Sequence, residues 1–343
     1  MFKKLFILIF VFTAYVANAQ NKSNKVKYDT TYITDYSDRL HLFLFSKKKF
    51  TGFSFDDKIS GKHIGFSPNN NLNLGFGFAY KWFGLGIAFN LPSSQYDRDI
   101  YGKTQKLDAQ MNIFLQKFVF DIYFSNYQGF YITTPQVVDT AWTAGMPYPQ
   151  LPDLYSVSVG FSAYYLLNNK KFSYKASFSL NQKQQKSAGS LILGAVMKIG
   201  GVENDTVFIP SDIWGDDTVH RNIKDVIDFS VGPLVGYAYN WVIKKNFLIS
   251  FSLVPGIVLQ SSNYTYLKDG EYHNETIGGL GLALNYRMGF IYDNKKFFGG
   301  FRLNNFVNVY ELNYVSKSSK IGNYSFFVGY RINSLKKVLF KKF

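Results

Sequence analysis

The stretch Asn71–Leu91, NLNLGFGFAYKWFGLGIAFNL, decides the fold. Leu72, Leu74, Phe76, Phe78 and Tyr80 hold one parity, while Asn71, Asn73, Gly75, Gly77, Ala79 and Lys81 hold the other. Past Trp82 the alternation restarts, with Phe83, Leu85, Ile87, Phe89 and Leu91 set against Gly84, Gly86, Ala88 and Asn90. Side chains of a strand point alternately to two faces, so this is a hairpin with one oily aromatic face and one small or polar face. A soluble sandwich sets large residues inward and charges outward. Here the second face is glycine, alanine and asparagine. Large apolar groups outside and small polar ones inside is the pattern of a membrane-spanning barrel.

Working outward, the same alternation recurs. Leu107, Ala109, Met111, Ile113 and Leu115 alternate with Lys106, Asp108, Gln110, Asn112 and Gln116, and Phe118, Phe120, Ile122 and Phe124 alternate with Lys117, Asp121 and Ser125. It is repeated over Tyr155 to Tyr165, over Phe172 to Leu180 and over Tyr324 to Tyr330. Lysine turns followed by phenylalanine punctuate these runs: KKKF from Lys47, QKF from Gln116, NNKKF from Asn168, KKNF from Lys244 and DNKKFF from Asp293. Each is of hairpin-loop length. Longer polar connections are expected over Pro92 to Gln105, Tyr127 to Asp153, Asn181 to Asp225, Ser262 to Glu275 and Asn313 to Ser319. Short turns at one end and long loops at the other are the asymmetry of an outer-membrane barrel, with the lysine turns at the periplasmic rim.

These elements predict an all-β, antiparallel up-and-down transmembrane β-barrel of about twelve strands, within a range of ten to fourteen. The count assumes that Asn181 to Asp225 returns to the side it left, although Leu191 to Gly200 is apolar enough for a strand. Arg39 to Ser46 could be a short extra strand. Pro233 and Pro255 should lie at one height near the outer rim, where pairing is bulged or broken, because proline gives the ladder no donor. Trp82 and Trp241, each beside a lysine turn, are candidates for the periplasmic aromatic girdle.

The N-terminus gives the address. Lys3 and Lys4, the apolar run Leu5 to Val16 and Ala17-Asn18-Ala19 form a signal peptide over residues 1–19, with cleavage before Gln20. The run is shorter than the roughly 20 residues a spanning helix needs. Residues 20–38 read as a polar periplasmic lead-in and 39–343 as the barrel, which puts the mature protein in the outer membrane. Aromatics make up 19% of the chain, with 35 Phe and 26 Tyr. The mean hydropathy is nevertheless near zero, because alternation averages each strand.

The net charge is +15, carried by dispersed lysines. That favours anionic lipid or lipopolysaccharide at the bilayer surface, and an envelope protein partner, over nucleic acid. The absence of cysteine excludes disulfides and thiolate chemistry.

Tyr28-Asp29-Thr30-Thr31-Tyr32, Ser37-Asp38-Arg39-Leu40, Ser67-Pro68-Asn69-Asn70 leading into LGFGFAYKWFGLGIAF, and Gln185-Lys186-Ser187-Ala188-Gly189-Ser190 resemble the barrels grouped as domain of unknown function 4421. The resemblance covers nearly all of the mature chain. It implies an exported bacterial outer-membrane protein and no catalytic residues to carry over.

No constellation of catalytic residues stands out. His41, His63, His220 and His273 lack metal-ligand spacing. A hydrolase or deacylase acting on lipid or lipopolysaccharide is the alternative, with His63 beside Ser60 or Ser67, or His273 beside Ser261 or Ser262, as the pair. Asp205, Asp212, Asp216 and Asp217, followed by Asp225 and Asp228, match no calcium loop and read as a solvated acidic face. The glycines Gly75, Gly77, Gly84 and Gly86 lie in strands, so they mark space on the inner face and no phosphate loop. No cofactor or metal is called for. Lys106, Asp108, Lys117, Asp121 and Lys175 share the inward parity, as candidates to pair across the lumen or line a path. A non-enzymatic barrel, either a passive small-solute channel or an envelope scaffold, is the leading function.

Overall fold

The computed structural model describes residues 28–80, 83–208 and 222–332. The expected signal peptide, Trp82, His220, Asp212, Asp216 and Asp217 lie outside them. In chain order the strands are β1 (Ile33–Asp35), β2 (Leu40–Asp57), β3 (His63–Ser67), β4 (Leu72–Tyr80) and β5 (Phe83–Asn90). They continue with β6 (Gln105–Phe114), β7 (Phe118–Ile132), β8 (Gln150–Leu166), β9 (Gln182–Gln184) and β10 (Ala188–Glu203). The last five are β11 (Ile223–Ile243), β12 (Phe247–Lys268), β13 (Glu271–Asp293), β14 (Phe297–Leu312) and β15 (Val315–Ile332). Two short helices, α1 (Gln95–Tyr101) and α2 (Tyr174–Phe178), interrupt the series.

Every pairing is antiparallel, and β15 closes the sheet by pairing with the whole of β2, from Ile332↔Leu40 to Val315↔Asp57. At the outer level the closed ring has 10 strands: β2, β3, β7, β8 and β10 through β15. Toward the periplasmic end β3 gives way to three strands, β4 on β2, β5 on β4 and β6 on β7. Ten less one plus three makes the wall twelve strands around at this level, but no pairing joins β5 to β6. Closure matters because lipid satisfies no N–H or C=O, so only helices and closed barrels cross it.

The inside-out pattern holds. Phe76, Phe78, Ile87 and Phe89 are 54%, 37%, 45% and 63% exposed, so they lie on the outer face. On β12 the outward parity runs Phe251, Leu253, Pro255, Ile257, Leu259 and then turns polar at Ser261, Asn263 and Thr265, which marks the outer edge of the apolar band. Strands of up to 23 residues, about 75 Å along their length, therefore stand well clear of an apolar band about 25 Å tall. The polar segment Ser262 to Glu275, expected as a loop, is the upper part of β12 and β13, joined by the two-residue turn Asp269-Gly270 at positive φ. Asn313 to Ser319 likewise reduces to a two-residue turn followed by β15.

Four further expectations are corrected. Lys47-Lys48-Lys49 is no turn but the middle of β2, because a barrel interior can accept the ammonium groups at Lys47 and Lys49. The extra strand expected at Arg39 to Ser46 is the start of that same strand, which begins at Leu40. Phe172 to Leu180 alternates like a strand, yet it folds as α2 inside the bore. The Ser173 hydroxyl caps that helix by accepting from the Ala176 N–H, and Ser173, Tyr174, Ala176 and Ser177 are all buried, so burial here has no period of two. Asn181 to Asp225 crosses the membrane as β10 instead of returning to its own side. One strand is lost at α2 and one gained at β10, which preserves the count.

Pro233 and Pro255 do share a height, and the β11–β12 ladder is broken beside them, with Val231↔Leu259 and Leu234↔Gly256 flanking a gap. They sit in the middle of the lipid-facing band, between Val231 and Val235 and between Leu253 and Ile257, not at the rim. Both missing donors face the same interstrand seam. Each proline keeps its other partner, Ala195 and Leu284 respectively.

The glycines at Gly75 and Gly77 hold room for particular side chains. A Cβ at Gly75 would sit 2.4 Å from the Phe45 ring, and one at Gly77 would sit 2.5 Å from the Phe43 ring. These β2 phenylalanines turn inward and set the tips of their rings over the glycine backbone.

Candidate functional site inside the bore

Four layers of side chains fill the lumen. The outermost is apolar: Phe53, Phe55, Phe66 and Phe208 pack with Phe130, Leu154 and Tyr264, and Phe53 stacks on Phe66 at 4.9 Å between centroids. Strands that rise above the bilayer converge here, so the extracellular mouth is closed by an aromatic core.

Beneath it lies a charged cluster. Lys317 Nζ donates to Asp228 Oδ2 at 2.5 Å, and Ser262 Oγ donates to Asp228 Oδ1 at 2.9 Å. Lys198 Nζ donates to Ser319 Oγ at 2.5 Å and lies 5.6 Å from the Tyr310 ring. A cavity of about 20 Å³ touches Thr51, Ser156, Ser158, Lys198, Asp228 and Lys317, which is room for about one water molecule.

The third layer spans the bore. Arg287 of β13 forms an ion pair with Asp121 of β7, and Asn112 Nδ2 donates to the other carboxylate oxygen at 2.5 Å. The guanidinium carbon lies 5.5–5.8 Å from the ring centroids of Phe114, Tyr164, Tyr174 and Phe178. Tyr174 and Phe178 belong to α2, so the plug helix completes the cage. The Tyr174 hydroxyl is 2.5 Å from Ser252 Oγ, and Arg302 donates to the Phe178 carbonyl at 3.0 Å.

The fourth layer is the periplasmic cap. β1 pairs with β9 as a separate two-stranded sheet, which ties the lead-in to the connection between β8 and β10. Arg331 reaches Asp293 with both terminal nitrogens, at 2.7 and 2.9 Å, and donates to the Leu180 carbonyl at 3.0 Å. Lys183 donates to the Asp293 carbonyl at 2.6 Å. Tyr36 lies between the guanidinium groups of Arg39 and Arg331, at 4.5 and 4.6 Å, and burial pushes its phenol up from the usual tyrosine range. At the exposed edge of the cap, the Thr31 hydroxyl and N–H both donate to Asp29 and hold its carboxyl below the usual carboxylate range.

The sequence-derived candidates are distributed across this interior. Asp108 faces the bore, where it accepts from Lys49 at 2.6 Å and from the Tyr127 hydroxyl at 2.7 Å. Lys106 donates to Asn70 at 3.3 Å. Asp121 is in the transverse pair. Lys175 is carried by α2 instead of a wall strand, and Lys117 is exposed in the turn between β6 and β7. The partners Arg287, Arg331 and Asp293 went unrecognised, although a charge at inward parity within an apolar strand such as LNYRMGFIYD is itself a signal.

The histidines do not form the pairs considered for hydrolysis. His63 Nδ1 is 2.6 Å from Asp56, directly across the β2–β3 ladder, with both side chains half exposed. His273 pairs with Tyr266, whereas Ser261 pairs with Gly278 far along the strand. His41 is buried, with Nε2 2.9 Å from the Tyr36 carbonyl. Among the described residues, no serine bonds to a histidine ring, and no three His, Asp or Glu side chains converge as a metal site.

A family model described as Domain of unknown function (DUF4421) matches residues 27–332. No curated protein matches the sequence. Among solved structures, the outer membrane protease OmpT from Escherichia coli aligns with a TM-score of 0.38 at 8% identity, over 87% of this chain and 98% of that one. The translocator domain of autotransporter NalP from Neisseria meningitidis aligns at 0.28 and 8%, over 93% of each chain. The Pseudomonas putida toluene transporter TodX aligns at 0.25 and 8%, over 85% and 89%.

Proposed function

The chain belongs to the DUF4421 family of outer-membrane β-barrels, and from its filled bore we propose that it is a sealed, non-enzymatic envelope scaffold. One observation carries the reading. Aromatic, charged, caged and capped layers succeed one another from mouth to mouth, and the polar cavity in the charged layer is of about 20 Å³. A path for solute requires a continuous wet lumen. The buried pairs Arg331–Asp293 and Arg287–Asp121 hold the plug and cap against the wall, as a rigid body that bears load would need. The candidates Lys106, Asp108, Asp121 and Lys175 act in this reading as struts and not as selectivity residues, and Lys117 as a rim charge. Residues 1–19 direct export and are removed in the process, and the first residue of the mature protein checks this directly. The basic surface faces anionic lipid or lipopolysaccharide.

Conductance of the purified full chain in planar bilayers tests the proposal. A sealed scaffold gives a flat baseline up to the voltage at which the lipid breaks down. Stable, stepwise conductance would restore the channel reading. The hydrolase alternative keeps one motivating contact, Asp56 on His63, and would require lipid turnover that is lost in His63→Ala.

A further inference from the structure

Among the described residues, the wall is unpaired along two neighbouring strand edges. β5 pairs with β4 and β6 pairs with β7, but β5 and β6 do not pair, so two strand edges face each other within the apolar band. Residues 85–90 of β5 are exposed on both faces, the oily Leu85, Ile87 and Phe89 and the small Gly86, Ala88 and Asn90 alike. Across the seam, Leu107 is 64% exposed and Met111 37%. Unpaired N–H and C=O groups in hydrocarbon are costly, so such a seam calls for an occupant with polar atoms at one level and an apolar body along the rest.

Behind the seam lies a row of donors. The registers Arg302↔Ser325, Ser325↔Lys47, Lys47↔Asn73 and Asn73↔Asn90 set these five side chains on one transverse line that ends at the free edge of β5. Lys47 stands two strands in, about 10 Å from that edge, a gap that a lysine stem and a headgroup together can cover. Its ammonium lies 6.0 Å from the Phe45 ring and has no bonded acceptor among the described residues. Arg302 Nε and NH2 are buried without partners, and so is Nε2 of Gln110 on β6. The nearby carboxylate, Asp108, is already engaged by Lys49 and Tyr127. The niche thus holds unsatisfied donors and surplus positive charge beside an apolar slot.

We propose that the β5–β6 seam is a lateral binding site for an anionic amphiphile. Its phosphate or carboxylate head lies on Lys47 and Arg302, and a single acyl chain passes between the strands into the bilayer. One chain is about as wide as one interstrand spacing, about 4.8 Å. The head accepts from the orphaned donors, and the chain covers Leu85, Ile87, Phe89 and Leu107. The proposal rests on the outer-membrane placement and not on the scaffold reading, since a sealed bore and an open flank are compatible.

The test uses the full chain in phosphatidylcholine nanodiscs, titrated calorimetrically with dodecyl phosphate, dodecanoate, dodecyl maltoside and inorganic phosphate. Both anionic amphiphiles should bind, the neutral one and the bare head should not, and Lys47→Met should weaken binding at least tenfold, with Lys117→Met unchanged. Arg302→Gln provides a second variant should Lys47→Met fail to insert. Hydrogen exchange at the β5 amides should be fast without amphiphile and slowed by it. Binding of inorganic phosphate alone as tight as that of dodecyl phosphate would leave an anion site with no role for the seam, and would overturn the proposal. Equal binding of dodecyl maltoside, or slow β5 exchange in the empty protein, would overturn it too.

Discussion

The Arg287–Asp121 pair makes the sharpest test of how this barrel holds its interior. Arg287 is 2% exposed and Asp121 13%, and they reach each other from strands on opposite sides of the bore. Removing one member of a buried pair leaves an uncompensated charge, at about 3–5 kcal/mol, whereas replacing both by apolar groups of similar size is often neutral or better. The two single changes should differ. Arg287→Met leaves a less deeply buried carboxylate that keeps the Asn112 amide, so the loss should lie near the low end. Asp121→Leu leaves a deeply buried guanidinium with four aromatic faces, whose attraction of about 0.5–1 kcal/mol at an ordinary site softens the loss without cancelling it. It should lie near the high end.

The assay is urea unfolding of the refolded barrel in lipid vesicles, followed by tryptophan fluorescence, in a complete double-mutant cycle. The double variant should recover to within about 1 kcal/mol of the parent, giving a coupling of at least about 2 kcal/mol. Additive losses, or single variants costing less than about 1 kcal/mol, would mean that water reaches this layer and that the lumen is not dry. The same variants in planar bilayers discriminate further. If the pair is a strut between β7 and β13, Asp121→Leu should raise the frequency of brief conductance steps, and the double variant should not.

Other consequences follow from single contacts. Arg331→Gln breaks both bonds to Asp293 and the bond to the Leu180 carbonyl, so limited trypsin digestion from the periplasmic side should cut at Lys170, Lys171 or Lys183 in the variant and not in the parent. Asp228→Asn leaves Lys317 and Lys198 buried without a counter-charge and should destabilise by about 3–5 kcal/mol in the same urea assay, while Asp205→Asn, at an exposed position, should move it by less than about 0.5. Gly77→Val must displace the Phe43 ring and the Leu85 carbonyl, 2.5 and 2.7 Å from a Cβ, and should cost about 1–3 kcal/mol or more. In exchange experiments, amides flanking Pro233 and Pro255 on the β11–β12 seam should open faster than those two turns away, because the ladder there is already interrupted.

Which of these features could be read from the sequence is a matter of range. The Asn71–Leu91 hairpin is legible because both causes of its pattern, strand period and lipid outside, act on each residue separately. The lysine turns at Lys244 and Asp293 are legible for the same reason: three residues close each hairpin, and positive φ at Lys244, Lys245 and Lys295 is a local matter. Lys47 to Lys49 has the same composition as those turns and behaves otherwise. Asp108, which lies 59 residues away in sequence, gives Lys49 its partner inside the wall. Phe172 to Leu180 fails similarly, since nine alternating residues satisfy a strand template while the surfaces that α2 packs on come from β9 and from the distant β6 and β13. The transverse pair joins residues 166 positions apart, and nothing local to either marks the other.

That division has a physical consequence for what the interior is for. Outward positions meet one uniform solvent, so any large apolar residue serves, and each position can vary on its own. Inward positions meet one another, and the buried guanidinium groups of Arg287 and Arg331 each sit against a carboxylate and aromatic rings. A water-filled pore would need none of this, because water would satisfy each charge separately. Ser177, Asn240, Ser250 and Ser252 are each 0–1% exposed, and the plug segment bonds to Asn240 and Ser252. The interior is therefore specified largely as a core is specified, by groups that pair with one another, with Ser250 and part of the Arg302 guanidinium left without partners. If the bore is sealed as proposed, the unpaired edges of β5 and β6 are the part of this barrel proposed to meet a ligand from the membrane.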